Sequence, residues 1–241
     1  MLEHLSWPPR ARAIVLTAGV AARLDAERRS RIAARREAVE GTIARARGEL
    51  LAKAQALASR TPAHPLALLQ AIGAALPDDA VVVDETISSA EGIRWLMRSN
   101  DAKSFFGLRG GGIGWGLPAA MGVKLALPHR PVVALIGDGS AMYTIQGLWT
   151  AAHQRIPVVF VILNNGSYRI LKQRLAAMRG GAPNQYVGMD LVDPAIDFVA
   201  LAHALGIRAE RTATAAGAAE LVTKALASGA PTLIDVEIER G

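Results

Sequence analysis

Asp138 and Asn165 are the two side chains best spaced to do chemistry together. An apolar run at 132–136 ends at Gly137-Asp138-Gly139-Ser140. A helical pattern follows, and a β-branched run at 158–163 ends at Asn164-Asn165-Gly166. Two parallel strands joined by a crossover helix set their carboxyl ends side by side, so these residues, 27 positions apart, should converge. A carboxylate and an amide oxygen are hard ligands. They suit Mg²⁺, which keeps some water and takes further oxygens from phosphate. The turn through Gly137 and Gly139 opens a helix whose free N–H groups and positive end attract that phosphate. Residues 134–168 therefore predict a metal–diphosphate site.

The remaining elements must carry that site. Strands at 80–83, 132–136, 158–163, 207–210 and 232–238 alternate with helical patterns at 66–76, 90–97, 117–127, 168–178, 196–205 and 213–228. Continuously apolar strands between helices predict an α/β fold, an open parallel sheet covered on both faces. A long Ala/Arg-rich helix at 25–59 precedes it, with Leu24, Ile32, Val39, Ile43, Leu50 and Leu57 forming a thin apolar stripe. A short apolar run at 14–16 suggests one more strand. The segment 105–120, crowded with glycine, implies close backbone approach or positive φ. Residues 180–194, punctuated by glycine and proline, predict a loop near the site entrance.

Composition narrows the class. The 241 residues are 51% apolar and contain no cysteine, so a sizeable core is expected and thiolate sites are excluded. Residues 1–60 hold 12 Arg/Lys against 6 Asp/Glu, while residues 61–241 hold 15 of each, so the net +6 belongs to the first segment. That split places a domain boundary at 60/61. The arginines fit a solvated linker helix better than a nucleic-acid surface, since no aromatic or groove-reading motif accompanies them. The apolar run at 13–22 is too short to span a bilayer. Charge on both sides of it argues against a cleaved leader. The expectation is a cytoplasmic chain with neither nucleic acid nor membrane as partner.

The GDG turn, crossover helix and NN turn in register resemble the thiamine diphosphate motif of the 2-oxo acid decarboxylase and acetolactate synthase superfamily. Carried over, the resemblance assigns metal binding to Asp138, Asn165 and the carbonyl of Ser167, with Mg²⁺ and thiamine diphosphate as cofactors. Ser140 and Tyr168 match diphosphate-contacting positions, flanked by Gly137 and Gly139. At the first strand end the resemblance points to Ser88, which equally fits an N-cap for the helix at 90–97. The segment Gly110-Gly111-Gly112-Ile113-Gly114-Trp115-Gly116-Leu117-Pro118-Ala119-Ala120 is similar to the family segment whose bulky residue wedges under the thiamine and bends its rings. That puts Ile113 at the wedge and offers the carbonyl of Gly111 to the 4′-amino group; on its own, Ile113 would read as core. Residues 110–171 resemble benzoylformate decarboxylases and, next to them, acetolactate synthases.

The resemblance implies that residues 61–241 form one cofactor-binding domain and residues 1–60 the remnant of a middle domain with a linker helix. The family's pyrimidine-binding domain, whose glutamate protonates the cofactor, is absent. His129, His153 and His203 sit away from predicted strand ends, so no catalytic residue is assigned to this chain. The implied partners are a pyrimidine-binding domain or subunit, a second copy of the chain, and a small 2-oxo acid. Lys172 and Arg174 on the substrate-facing helix suggest a polar or anionic one. The competing expectation is a non-catalytic interaction module that keeps the fold.

Overall fold

The computed structural model describes residues 19–97, 99–181 and 185–240; the strand suggested at 14–16 lies outside them. The chain divides into two compact units, Met1–Glu49 and Leu50–Gly241. Helix α1, Ala26–Ala56, begins in the first. Asp25 starts it by accepting from the Arg28 amide at 2.7 Å, and Ala-, Arg- and Glu-rich sequence without proline carries it on. Within the first unit, Ile32, Val39 and Ile43 stay 42%, 51% and 44% exposed, so the apolar stripe is not buried there. In the second unit the end of α1 is different: Ala54 is fully buried, and Leu50 and Leu57 pack on the core.

That second unit is built on six parallel strands: β1 (Val81–Glu85), β2 (Phe105–Gly107), β3 (Val132–Gly137), β4 (Val158–Asn164), β5 (Arg208–Thr212) and β6 (Thr232–Glu237). Their order is β2-β1-β3-β4-β6-β5, an open all-parallel α/β sheet. Successive strand residues point to opposite faces, and each face has its own core. On one, Val82, Val133, Leu135, Val161 and Leu163 pack against Leu66, Leu69 and Ile72 of α2 (Pro65–Ala75) and Val222 of a late helix. On the other, Val83, Ala134, Ile136, Phe160 and Ile162 meet Leu117, Leu148, Ala151 and Phe198.

The helices completing these layers are α3 (Ile93–Leu96), α4 (Gly116–Ala126), α5 (Asp138–Ala141), α6 (Gly147–His153), α7 (Arg169–Arg179), α8 (Phe198–Ala204) and α9 (Ala215–Ser228). Three of them differ from the sequence expectation. The helix expected at 90–97 is a 3₁₀ turn, Ile87–Ser89, then the single turn of α3, separated by Gly92 at φ +76°. Ser88 lies inside that turn and caps nothing, since the N-cap position of α3 is Gly92. The crossover between β3 and β4 is two helices, α5 and α6. Between them the amides of Thr144, Gly147 and Leu148 bond three residues back, to Ala141, Thr144 and Ile145. Among the described residues, no helix is long and apolar enough to cross a membrane.

Candidate functional site

Register fixes the centre of the site. Gly137, the last residue of β3, pairs with Leu163 in β4, so the two following turns leave the sheet side by side. Asp138 is 2% exposed. Its Oδ1 accepts from the Gly139 amide at 2.9 Å, and its Oδ2 from the amides of Gly166 at 2.7 Å and Ser167 at 3.2 Å. Burial raises its pKa above the ordinary carboxylate range. The amides of Gly139, Gly166, Ser167 and Asn165 pull in the other direction and do not overcome it. Asn165 is buried beside it, with Oδ1 accepting from the Ser167 amide at 3.0 Å and the Ser167 hydroxyl at 2.9 Å. Gly166 between them holds φ +67°.

Asn164 orients this turn. Its Oδ1 accepts from the Gly166 amide at 3.2 Å, and its Nδ2 donates to Asp235 Oδ1 at 3.0 Å. Asp235, 1% exposed, also accepts from Arg211 Nε at 2.9 Å. Its pKa is raised by burial, against the pull of Arg211 and Asn164. The folded state therefore binds this proton more tightly than the unfolded chain. The stability so gained is complete below the ordinary aspartate value and is lost as pH rises through the raised one. Arg211 limits that loss, being itself half-exposed. Arg211→Ala should cost little where Asp235 is protonated and about 2 kcal/mol where it is ionised, so its cost by urea unfolding should grow as pH rises.

One small cavity is lined by Ser88, Ile113, Gly137, Asp138, Gly139, Ser140, Asn165, Ser167 and Tyr168, together with Arg169. Gly111 lies elsewhere, on an adjoining cleft of about 1100 Å³. Ile113 and Tyr168 line both, so the half-buried Ile113 stands where the two spaces meet and not in either core. A Cβ built on Gly139 would stand 2.6 and 2.7 Å from Cδ1 and Cε1 of the Tyr168 ring. Gly139→Ala should push that ring aside at a cost of about 1–3 kcal/mol, read as a lowered melting temperature. Burial, then Tyr143 and Asp138, raise the Tyr168 phenol, which keeps its proton at neutral pH.

Glu85 was not among the sequence candidates. At the end of β1 it is 1% exposed, and its Oε1 accepts from the amides of Gly114 at 2.8 Å and Trp115 at 3.0 Å. Its Oε2 accepts from the Gly116 amide at 2.7 Å, so one carboxylate holds the glycine segment against the start of α4. Thr144 Oγ1 donates to the Gly114 carbonyl at 2.9 Å from the other side. The signal available in the sequence was an acidic strand end preceding a glycine-rich helix start.

On α7, Ile170, Leu171 and Arg174 line the large cleft with Arg94 and Arg109. Lys172, expected to face substrate with Arg174, instead pairs with Asp190 and lies 5.3 Å from the Tyr186 ring centre. Among the described residues no histidine lines either space: His153 stacks on Trp149 at 4.8 Å, and His64 caps α2.

Residues 92–236 match the family model for the thiamine pyrophosphate enzyme C-terminal binding domain, well over half the chain. The chain belongs to that family. Its members include proteins much longer than this one. Over 190 residues the chain is 38% identical to benzoylformate decarboxylase of Pseudomonas aeruginosa, covering 78% of this chain and 35% of that protein. It is 31% identical over 182 residues to the acetolactate synthase large subunit of Parasynechococcus marenigrum, covering 74% and 28%. Among solved structures, the thiamine diphosphate-dependent 4-hydroxybenzoylformate decarboxylase of Rhodococcus jostii superposes with a TM-score of 0.69 at 41% identity, covering 74% and 33%. The chain thus spans about a third of the length of these relatives.

The residues present fit what a thiamine pyrophosphate domain must hold. A carboxylate offers about four lone-pair positions, of which three on Asp138 are taken by amides, leaving one for a cation. The Ser167 hydroxyl can turn away and free a position on Asn165 Oδ1. Among the described residues there is no cluster of three His, Cys, Asp or Glu side chains. Any cation here would be held by one carboxylate and neutral oxygens, a set suited to an ion that takes its remaining ligands from phosphate and water.

Proposed function

We propose that this chain is the thiamine diphosphate- and Mg²⁺-binding part of a 2-oxo acid decarboxylase or carboligase, of the benzoylformate decarboxylase or acetolactate synthase kind. The observation that carries the reading is the buried Asp138 carboxylate, held by the amides of Gly139, Gly166 and Ser167 beside Asn165 in the lining of one cavity. Asp138, Asn165 and the Ser167 carbonyl would hold Mg²⁺; Ser88, Ser140 and the backbone around Gly137 and Gly139 would meet the diphosphate. Ile113 would support the rings from below, with Gly111 and Tyr168 beside them.

When bound, thiamine diphosphate supplies the carbanion chemistry that cleaves the bond between carboxylate and carbonyl carbon. The chain's own task is position and exclusion of water. Glu85 fixes the segment carrying Ile113, and α7 closes one wall of the cleft. Of the acidic side chains lining that cleft among the described residues, Glu85 holds three amides and Asp84 places Oδ1 on the amide and hydroxyl of Thr86, so both serve the backbone around them. The acid that activates the cofactor would come from a pyrimidine-binding domain or subunit, in an oligomer that includes a second copy of the chain.

The test is carbon dioxide release from 2-oxo acids with thiamine diphosphate and Mg²⁺. The chain alone should release none, and release should begin when a chain carrying the pyrimidine-binding domain is added. Release by the chain alone would contradict the reading.

A further inference from the structure

Arg169 opens α7 directly after Tyr168 and is one of only two charged side chains lining the small cavity among the described residues, Asp138 being the other. Its Nε is buried and has no hydrogen-bond partner. No ion pair reaches it among the described residues, although a second small cavity on its other side carries Glu91 and Glu239. Each of those carboxylates places one oxygen on another cation: Glu91 Oε1 on Lys53 at 2.8 Å, and Glu239 Oε1 on Arg60 at 2.8 Å. Asp138 has three of its positions filled by backbone amides and makes no ion pair with Arg169.

The arrangement is unfavourable twice over. A cation in the first turn of a helix opposes the positive end of the helix dipole. A buried N–H of a charged group without an acceptor forfeits its hydration. A single change relieves both: an anion in the cavity, within reach of the guanidinium and of the α7 amides.

We infer that Arg169 is a diphosphate-binding residue, the cation that completes charge balance around the terminal phosphate. This rests on the thiamine diphosphate reading above and extends it to a side chain outside the GDG and NN turns. A diphosphate ester carries a charge of about −3 at neutral pH, each terminal phosphate titrating near pH 6. Mg²⁺ with one aspartate supplies a single net positive charge and the cofactor's thiazolium ring another, leaving about one negative charge, which Arg169, the one cationic side chain lining the cavity among the described residues, offsets. Arginine suits the task better than lysine because its fork can donate to two phosphate oxygens at once.

The experiment is calorimetric titration of thiamine diphosphate, thiamine and inorganic pyrophosphate, each with Mg²⁺, into the wild-type chain, Arg169→Met and Arg169→Lys. Arg169→Met should weaken thiamine diphosphate and pyrophosphate by about tenfold or more and leave thiamine unchanged, with Arg169→Lys in between. Unchanged thiamine diphosphate affinity in Arg169→Met, or an equal loss for thiamine, overturns the assignment while leaving the cofactor reading standing. Arg169-dependent pyrophosphate binding without any thiamine diphosphate binding upholds the anion site and overturns the cofactor reading. Binding of none of the three by the wild-type chain overturns both. Should Arg169→Met not fold, Arg169→Lys decides by the same comparison.

Discussion

Asp138→Ala should abolish Mg²⁺-dependent binding of thiamine diphosphate, weakening it by more than about a hundredfold. Losing a residue that merely supports a metal ligand already costs about 10–100-fold, and Asp138 offers the one carboxylate of the proposed set. The same change removes the acceptor for the amides of Gly166 and Ser167 and so loosens the turn that presents Asn165. Part of the loss therefore comes through geometry. Asp138→Asn separates the two contributions, keeping the volume while removing the charge. Acid should act in the same direction as these variants. Burial raises the pKa of Asp138, so its ionised form, which a cation needs, disappears at a higher pH than for an exposed aspartate. Titrations at two pH values on either side of that transition check the sign. Unchanged affinity in Asp138→Ala would remove the carboxylate from the site.

Glu85→Ala should be the most destabilising single substitution around the cleft, at about 3–5 kcal/mol in urea unfolding. It strands the amides of Gly114, Trp115 and Gly116, and each buried N–H without an acceptor costs about 1–3 kcal/mol, with sums that fall short of additive. Glu85→Gln should cost less, because one oxygen remains while the amide group meets an N–H head-on. Gly116→Ala probes the same contact from the other side, since its Cβ would lie 2.8 Å from Glu85 Oε2 and 2.9 Å from Glu85 Cβ. Because Ile113 immediately precedes the braced amides, all three variants should also weaken cofactor binding. A Glu85→Ala chain as stable as wild type would show that the glycine segment is held by something else.

How much of this was legible beforehand follows from the range of each interaction. The convergence of Asp138 and Asn165 could be read because periodicity fixes two neighbouring parallel strands and their turns. The sheet and its covering helices were legible for the same reason. The sequence offers Ser88 as a helix cap, yet it caps nothing, because Ile87 at φ +50° and Gly92 at φ +76° break a segment whose composition favours helix. The split between α5 and α6 escaped because it lies in the backbone, where Thr144, Gly147 and Leu148 bond three residues back and no residue type marks the change. Lys172 and Arg174 were read together, yet residues two apart lie about 200° apart around a helix, so only Arg174 faces the cleft. Strand β2 is three residues long at a sheet edge, too short for any pattern to show. Glu85 required knowing that its partners are the backbone of a segment 29 to 31 residues away.

The most direct test of the central claim is calorimetric titration of thiamine diphosphate into the 241-residue chain with and without Mg²⁺. Saturable binding at one site per chain with Mg²⁺, and none after chelation, is the expected result. Binding that is indifferent to the cation, or absent when it is present, would contradict it.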